Sequence, residues 1–570
     1  MERRRRVPLT RYDQLSPEGK TLLDEAGKRL ATAYDPALHL VSWRFDAEKE
    51  VSLRSSLYYA LSLMIRDEAW DTIEDVCRAV LALQIDAPGE IFHGVFRHNP
   101  DEKYPPAEAL DYKRLGLYGR YWADCTWERV TDSFHQKLIT DPEWSKKAGE
   151  IESLLRKALT DTVPVVWDTY EPNIREFLLM CFAMLLRHGE GRMSAALKKD
   201  ILHSARLAME GSVTRSQTNF TPLNTNIQCM HIFLLDYFGK LLNEPGWQDY
   251  AISYAQGVLD RYREHHACAE FNSPTYCGVD LSTLGFVRRY SDNETLKALA
   301  EELESGIWRD MADFYNPAMR NFCGPYSRAY ELEMEKHTCF CDMLYWALGE
   351  KNFPWHPFSV ESVNNPLMLL GDVRMPEDVK RAFLTPKEDV TVCRTFRELS
   401  ERGDPENNSA LCTAEAWITP DLMAGVMRGS ENPSYQLHPL VVFWRQKESL
   451  GTIKLLRCLP DGQMTHLHTV FFHGEMEKNR LTMDVNAQVR RDVDIFFEIE
   501  CDNADAAVIA ENEWRLPGLT VALNENAPRP MVRKINARTL RVIYPARISQ
   551  PDTMRMRFEM TLNLKLESEK

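Results

Sequence analysis

Asn219-Phe220-Thr221-Pro222-Leu223-Asn224-Thr225-Asn226, Ala269-Glu270-Phe271-Asn272-Ser273-Pro274-Thr275-Tyr276 and Asn321-Phe322-Cys323-Gly324-Pro325-Tyr326-Ser327-Arg328-Ala329-Tyr330 are three loops of similar make, each ahead of a segment with helical periodicity. An apolar-rich helix, about Ile227 to Leu242, and a more polar one, about Trp247 to His265, separate the first two loops. Val279 to Tyr290 and Thr295 to Tyr315 separate the second from the third in the same way. An apolar helix followed by an amphipathic one, repeated, is the pattern of stacked antiparallel hairpins in which one helix of each pair is buried on all sides. If such hairpins close into a ring, the loops meet at one end and pool Asn, Glu, Tyr and Arg side chains in one cleft.

The same pattern extends backwards. Residues 1–50 read as a polar lead-in with one helix, Ser16 to Ala33. Leu53-Arg54-Ser55-Ser56-Leu57-Tyr58-Tyr59-Ala60-Leu61 opens an apolar helix, and Asp67 to Leu83 returns with an amphipathic one. Asp86 to Gly116 is a long loop rich in Pro, His and aromatics, of a length that suggests a rim or functional insertion. Helices are expected at Asp124 to Leu138, Glu143 to Leu159, Ile174 to Arg187 and Lys198 to Glu210, and a last apolar one at His337 to Leu348. After a linker over 356–388 the texture changes. Runs such as Leu440-Val441-Val442-Phe443-Trp444 and Asp494-Ile495-Phe496-Phe497-Glu498-Ile499, separated by turn residues, predict an antiparallel β-domain over 389–570, arranged as a sandwich. The fold class expected is α+β and multidomain.

Composition narrows the function classes. Over 570 residues, 44% are hydrophobic and 27% charged, which is ordinary for a globular chain of more than one domain. A net charge of −15 argues against nucleic-acid or anionic-membrane partners. The basic start Arg3-Arg4-Arg5-Arg6 has no apolar run behind it, so neither a signal peptide nor a membrane anchor is expected. Thirteen Cys, an odd number scattered through predicted helices, read as reduced thiols of a cytoplasmic protein. No cofactor or metal is expected. Cys339-Phe340-Cys341 with His337 is too tightly spaced for a tetrahedral set, His466, His468 and His473 alternate on a strand edge, and no nucleotide-binding glycine loop or Gly-x-Ser-x-Gly elbow occurs.

Helical hairpins followed by an antiparallel β-domain resemble, over most of the chain, the (α/α)-toroid polysaccharide lyases, including the heparinase II/III and alginate-lyase groups. At residue level the resemblance is confined to the three loops. It implies an incomplete (α/α) toroid over 51–355 carrying the active-site cleft. In that group an Asn or Arg neutralises a uronate carboxylate, a His or Tyr takes the α-proton, and a Tyr protonates the leaving oxygen. The resemblance gives Asn226 the neutralising role and Tyr276 the acid/base role. Ile227 stands where a His often follows the Asn, and His337 is the nearest His in sequence.

Each candidate also has a plain structural reading. Tyr276, at a helix start, would exchange a proton if a neighbouring Arg lowered its pKa from about 10, or would simply cap the helix. Glu270 and Asn272 flank Phe271 and face one way in an extended loop, as a base and a hydroxyl ligand or as pins of the loop. Arg328 between Tyr326 and Tyr330 makes a carboxylate clamp with aromatic walls, or an ion pair with Glu331 or Glu333. Asn224 would bind substrate or cap a helix. Three functions follow. The first is a lyase or hydrolase of a uronic-acid-containing or neutral glycan; for hydrolysis Glu270 would need a second acid from Asp168, Glu171 or Asp280. The second is a cofactor-independent cyclase or isomerase of a small metabolite. The third is a non-catalytic binding scaffold.

Overall fold

The computed structural model describes residues 8–45, 48–90, 92–105, 142–147, 149–151, 153–154, 157–158, 171–189, 191–218, 224–330, 332–334, 339–354, 360–398, 409–447, 449–464, 467, 470–487, 492–524 and 529–565. These residues are mixed α+β, helices first and an antiparallel sheet after them. The ten longest helices are α1 (Pro17–Ala33), α2 (Leu53–Arg66), α3 (Trp70–Leu81), α4 (Ile174–His188), α5 (Ala195–Thr218), α6 (Thr225–Leu241), α7 (Pro245–His265), α8 (Cys277–Tyr290), α9 (Glu294–Phe314) and α10 (Cys339–Leu348), with shorter ones at Pro142–Lys146, Asn365–Met368 and Glu377–Leu384. Local chemistry starts them where the sequence says. Ser16 accepts from Gly19 N ahead of Pro17, and Asn293 accepts from Leu296 N ahead of α9.

Packing sorts the helices into two sets. In α4, Leu178, Leu179, Cys181, Phe182, Met184 and Leu185 are all fully buried. Each large apolar side chain so buried contributes roughly 1.5–3 kcal/mol, which holds α4 in the interior. The contacts run α1–α2–α4–α6–α8–α10 and return from α10 to α1. The polar partners α3, α5, α7 and α9 each back their own inner helix, and α7 also touches α9. The opening segment is more than a lead-in. Leu22, Leu23, Ala26 and Leu30 of α1 are buried, and β1 (Tyr34–Asp35), β2 (Leu40–Phe45) and β3 (Glu48–Ser52) form a small sheet before α2. One further expectation changes. The described part of the long loop after Asp86 is packed, with Phe92, Val95 and Phe96 buried and His93 O accepting from Arg175 at 3.2 Å. The helices expected at Asp124 to Leu138 and Glu143 to Leu159 lie largely outside the described residues.

From β6 (Val390–Arg397) to β19 (Arg555–Leu564) fourteen strands form one hydrogen-bonded network, every pairing antiparallel. The network doubles over on itself. Phe497, on β13 (Val493–Glu500), meets Trp514 on β15 (Glu513–Leu516) at 5.1 Å and Phe558 on β19 at 5.2 Å, both edge-on. Those strands are far apart in sheet order, so aromatic side chains from two layers share one interior.

Two buried histidines tie the helical part together while uncharged. His188 Nδ1 accepts from Thr10 N at 3.1 Å, and its Nε2 lies 2.8 Å from the Tyr290 hydroxyl. His231 Nδ1 lies 2.9 Å from Ser212 Oγ. Burial, then nearby Arg charges, push both imidazoles down to about 3. The unfolded chain therefore binds more protons than the native one once the pH falls below the ordinary His value of about 6.5. Stability is complete above that value and should fall as acid is added, by about 1.4 kcal/mol per pH unit for each His. Urea unfolding between about pH 7 and pH 5 should show this slope, and His231→Gln should flatten it.

Candidate functional site

Asn272 holds the second loop against the third. Its backbone is left-handed, with φ 51°, a conformation Asn tolerates better than most residues. Its Nδ2 donates to Cys323 O at 2.8 Å and Pro325 O at 2.9 Å. Ser273 Oγ donates to Arg328 O at 2.6 Å, and Ser327 Oγ to Phe271 O at 3.0 Å. Phe271 turns the other way and stacks on Phe396 of β6, with ring centroids 4.3 Å apart. The Asn272 Nδ2 thus pins the neighbouring loop, while its Oδ1 is buried with no hydrogen-bond partner among the described residues.

The sheet supplies the far side. Tyr326 and His438 exchange backbone hydrogen bonds of 3.2 and 3.0 Å, and Ala329 N donates to Gln436 O at 3.0 Å. Across this seam, on strand β8 (Leu422–Arg428), a Cβ added to Gly425 would lie 1.8 Å from Gly324 O. The close approach admits only glycine.

Arg328 spans the seam. Its Nε donates to Gln436 Oε1 at 2.6 Å and its Nη1 to Glu270 Oε1 at 3.1 Å. The other Glu270 oxygen accepts from Asn226 N at 3.1 Å, at the start of α6. The guanidinium lies 4.5 Å over the Tyr276 ring, and the Tyr276 and Tyr330 rings are 6.2 Å apart. Glu270, Asn226 and Tyr276 are largely buried, whereas Tyr330 is 45% exposed. The cluster therefore opens to solvent on the Tyr330 side. Among the described residues Arg328 pairs with Glu270, from the second loop, and Glu331 lies outside those residues.

Burial reverses the expectation for Tyr276. Arg328 does pull its pKa down, but loss of solvation is the larger effect, and the phenol is held well above its ordinary value. Tyr276 keeps its proton. Tyr326 is also corrected, because it is fully buried and its hydroxyl donates to Phe322 O at 2.6 Å, which makes it core and not a wall of the cleft. Asn224 sits at the N-cap of α6 without a side-chain cap bond, half-buried beside the cluster. His337, Asp168, His466 and His468 lie outside the described residues.

Of the acids considered beside Glu270, Glu171 accepts from Asn173 N and serves its own turn. Asp280, within the first turn of α8, is 1% exposed, and burial followed by the Glu270 charge raises its carboxyl well above the usual range. Sequence reading missed Gln436 and His438. His438 Nε2 is 3.1 Å from Ala329 O, its Nδ1 has no partner among the described residues, and burial pushes the ring down to about 3. The available signal was Pro433-Ser434-Tyr435-Gln436-Leu437-His438-Pro439, a Pro-bounded polar run just before a strongly apolar strand. Among the described residues no group of His, Cys, Asp and Glu has the arrangement of a metal site. The eleven cysteines whose side chains are described are free thiols, and among the described residues no helix is long and apolar enough to cross a membrane.

A family model described as a domain of unknown function (DUF8769) matches residues 155–365, which hold all three loops. No curated protein matches. Among solved structures the chain is similar to the heparan sulfate lyase HepC from Pedobacter heparinus, at 11% identity over 97% of this chain and 89% of that one, with a TM-score of 0.33. It is also similar to the chondroitin AC lyase of Streptomyces coelicolor A3, at 9% identity over 97% and 80%, with a TM-score of 0.43. These values carry no residue-level correspondence.

The seam makes a direct prediction. Gly425→Ala should drive the third loop off β8, cost about 1–3 kcal/mol as overpacking does, and detach Arg328 from Gln436. Chemical denaturation measures the first effect and a structure of the variant the second.

Proposed function

We propose that the chain is a carbohydrate-active enzyme of the polysaccharide-lyase kind that eliminates across a uronic acid at the Glu270–Tyr276–Arg328–Tyr330 cluster. In this reading the ring of helices is an (α/α) toroid, the doubled sheet a β-sandwich, and the joint between them lies within 356–388. The observation that carries the reading is Arg328, a guanidinium laid over one phenol and beside another at the mouth of a buried acid.

Elimination breaks the C5–H bond and the C4–O4 bond of the sugar, forms the C4–C5 double bond, and leaves a proton on O4. Arg328 supplies the positive charge that draws a uronate carboxylate in, and Tyr330 offers the sugar a ring face. Tyr276, whose phenol keeps its proton, donates to O4. Glu270, oriented by Asn226 N and Arg328, takes the C5 proton. Hydrolysis of a glycan would instead pair Glu270 with Asp280. The alternative reading, a cyclase or isomerase of a small metabolite, gains no support from the apolar cavity among the inner helices, which at about 40 Å³ is too small to hold one.

Incubation with a panel of uronate polymers should yield unsaturated product, read by its absorbance, with a reducing-end assay beside it to detect hydrolysis. Tyr276→Phe should lower turnover by about two to four orders of magnitude with little change in binding. Arg328→Lys should weaken binding, since Lys keeps the charge and loses the fork of donors. No unsaturated product from any polymer, or normal turnover in Tyr276→Phe, overturns the assignment.

A further inference from the structure

Gln436, which meets Arg328 across the seam, lies in the connection that leaves β8 at Gly429 and enters the next strand at Leu440. Two buried charged side chains grip the first half of that connection. Glu398, one residue past β6 and 2% exposed, accepts from Ser430 Oγ at 2.8 Å on one oxygen and from Glu431 N at 2.9 Å on the other. Arg457, on β10 (Leu450–Cys458) and 3% exposed, donates to Asn432 O at 2.7 Å. Its other amino group donates to Val470 O at 2.9 Å, which ties the connection to the strand Val470–Glu477.

The grip is passed on towards the cluster. Asn432 Nδ2 donates to Ser327 O at 2.9 Å, one residue before Arg328. Ser434 N donates to Asn432 Oδ1 at 2.9 Å and Gln436 N to Ser434 Oγ at 3.2 Å, so two side-chain turns in succession carry the placing of Asn432 to Gln436. Burial raises the Glu398 carboxyl to about 7, against the pull of Ser430, of Glu431 N and of the Arg457 charge. Besides Arg457, the titratable groups facing it among the described residues are Glu431 and the Cys412 thiol, 3.9 Å away on β7 (Leu411–Ile418) and itself pushed up by burial. The gripped connection therefore binds that proton more tightly than a released one, in which Glu398 would meet water at its ordinary value. The grip is complete below the ordinary carboxylate range and weakens as the pH rises through about 7.

We propose that Glu398 and Arg457 are positioning residues for the Glu270–Arg328 cluster, holding the connection so that Asn432 and Gln436 fix the third loop around Arg328. The hold loosens as the pH rises, because the carboxylate form of Glu398 is the one that favours water. As positioning residues for elimination they rest on the reading of Arg328 as the uronate clamp; as anchors of the third loop they do not.

Hydrogen–deuterium exchange of the full chain, read by mass spectrometry and corrected for the intrinsic effect of pH, tests this at residues 326–330, where Tyr326 N and Ala329 N are bonded into the seam. In the native chain the corrected exchange there should rise by about tenfold or more from about pH 5 to about pH 8. Glu398→Gln keeps the shape and an acceptor and carries no charge, so its exchange should stay at the low-pH level throughout. Glu398→Ala strands Ser430 and Glu431 N, and Arg457→Met strands Asn432 O. Each should speed exchange at 326–330 by about tenfold at about pH 5, with that of α1 unchanged. On a uronate polymer that yields product, Glu398→Ala should raise KM by about tenfold and Glu398→Gln should not. The proposal is overturned by a flat native profile, by a Glu398→Gln profile that follows the native rise, or by exchange at 326–330 that quickens no more than that of α1 in Glu398→Ala and Arg457→Met. No product from any polymer overturns the lyase reading alone, and the exchange at 326–330 still decides the positioning.

Discussion

Arg328 is charged wherever it sits, so a fold that withdraws it from water must answer that charge with fixed partners. Its answers come from Glu270 on the second loop and Gln436 on the sheet, at 3.1 and 2.6 Å. Removing one partner of a buried ion pair costs about 3–5 kcal/mol because the other is left unanswered. The guanidinium therefore couples three segments that are otherwise distant in sequence. The geometry of Tyr276, Asn226 and Glu270 follows from that single demand, with Asn272 and Ser273 locking the two loops so that it is met.

Much of the helical part was legible. Apolar residues on all faces of Ile174–His188 and Thr225–Leu241 marked them as interior, and the polar partners that follow marked the outer layer. The strands were legible as period-two runs. Their order was not, because pairing β13 with the strands Leu450–Cys458 and Thr539–Ala546 depends on contacts that no local pattern encodes. Residues 17–33 were undervalued, since one isolated amphipathic helix carries no sign of which neighbours will cover it.

The site divides along the same line. Asn226, Glu270, Tyr276, Arg328 and Tyr330 stood out as polar or aromatic residues in loops ahead of apolar helices, and the chain brings them together. Gln436 and His438 did not stand out, because each acts on a residue more than a hundred positions away. The sign of the Tyr276 shift was also beyond reach. A neighbouring Arg is visible in a motif, but the depth of burial that outweighs it is a property of the folded chain.

The return contact from α10 to α1 has a consequence for how the chain is made. The apolar face of α1, with Leu22, Leu23, Ala26 and Leu30, leaves the ribosome well before α10, which begins at Cys339. At about 5–20 residues per second, more than three hundred residues separate the two by tens of seconds. During that interval α2 and β2 cover part of α1 and the rest waits for α10 and for residues 360–368, which also pack on it, so nascent chains stalled before these segments are the ones that would need a chaperone's shelter.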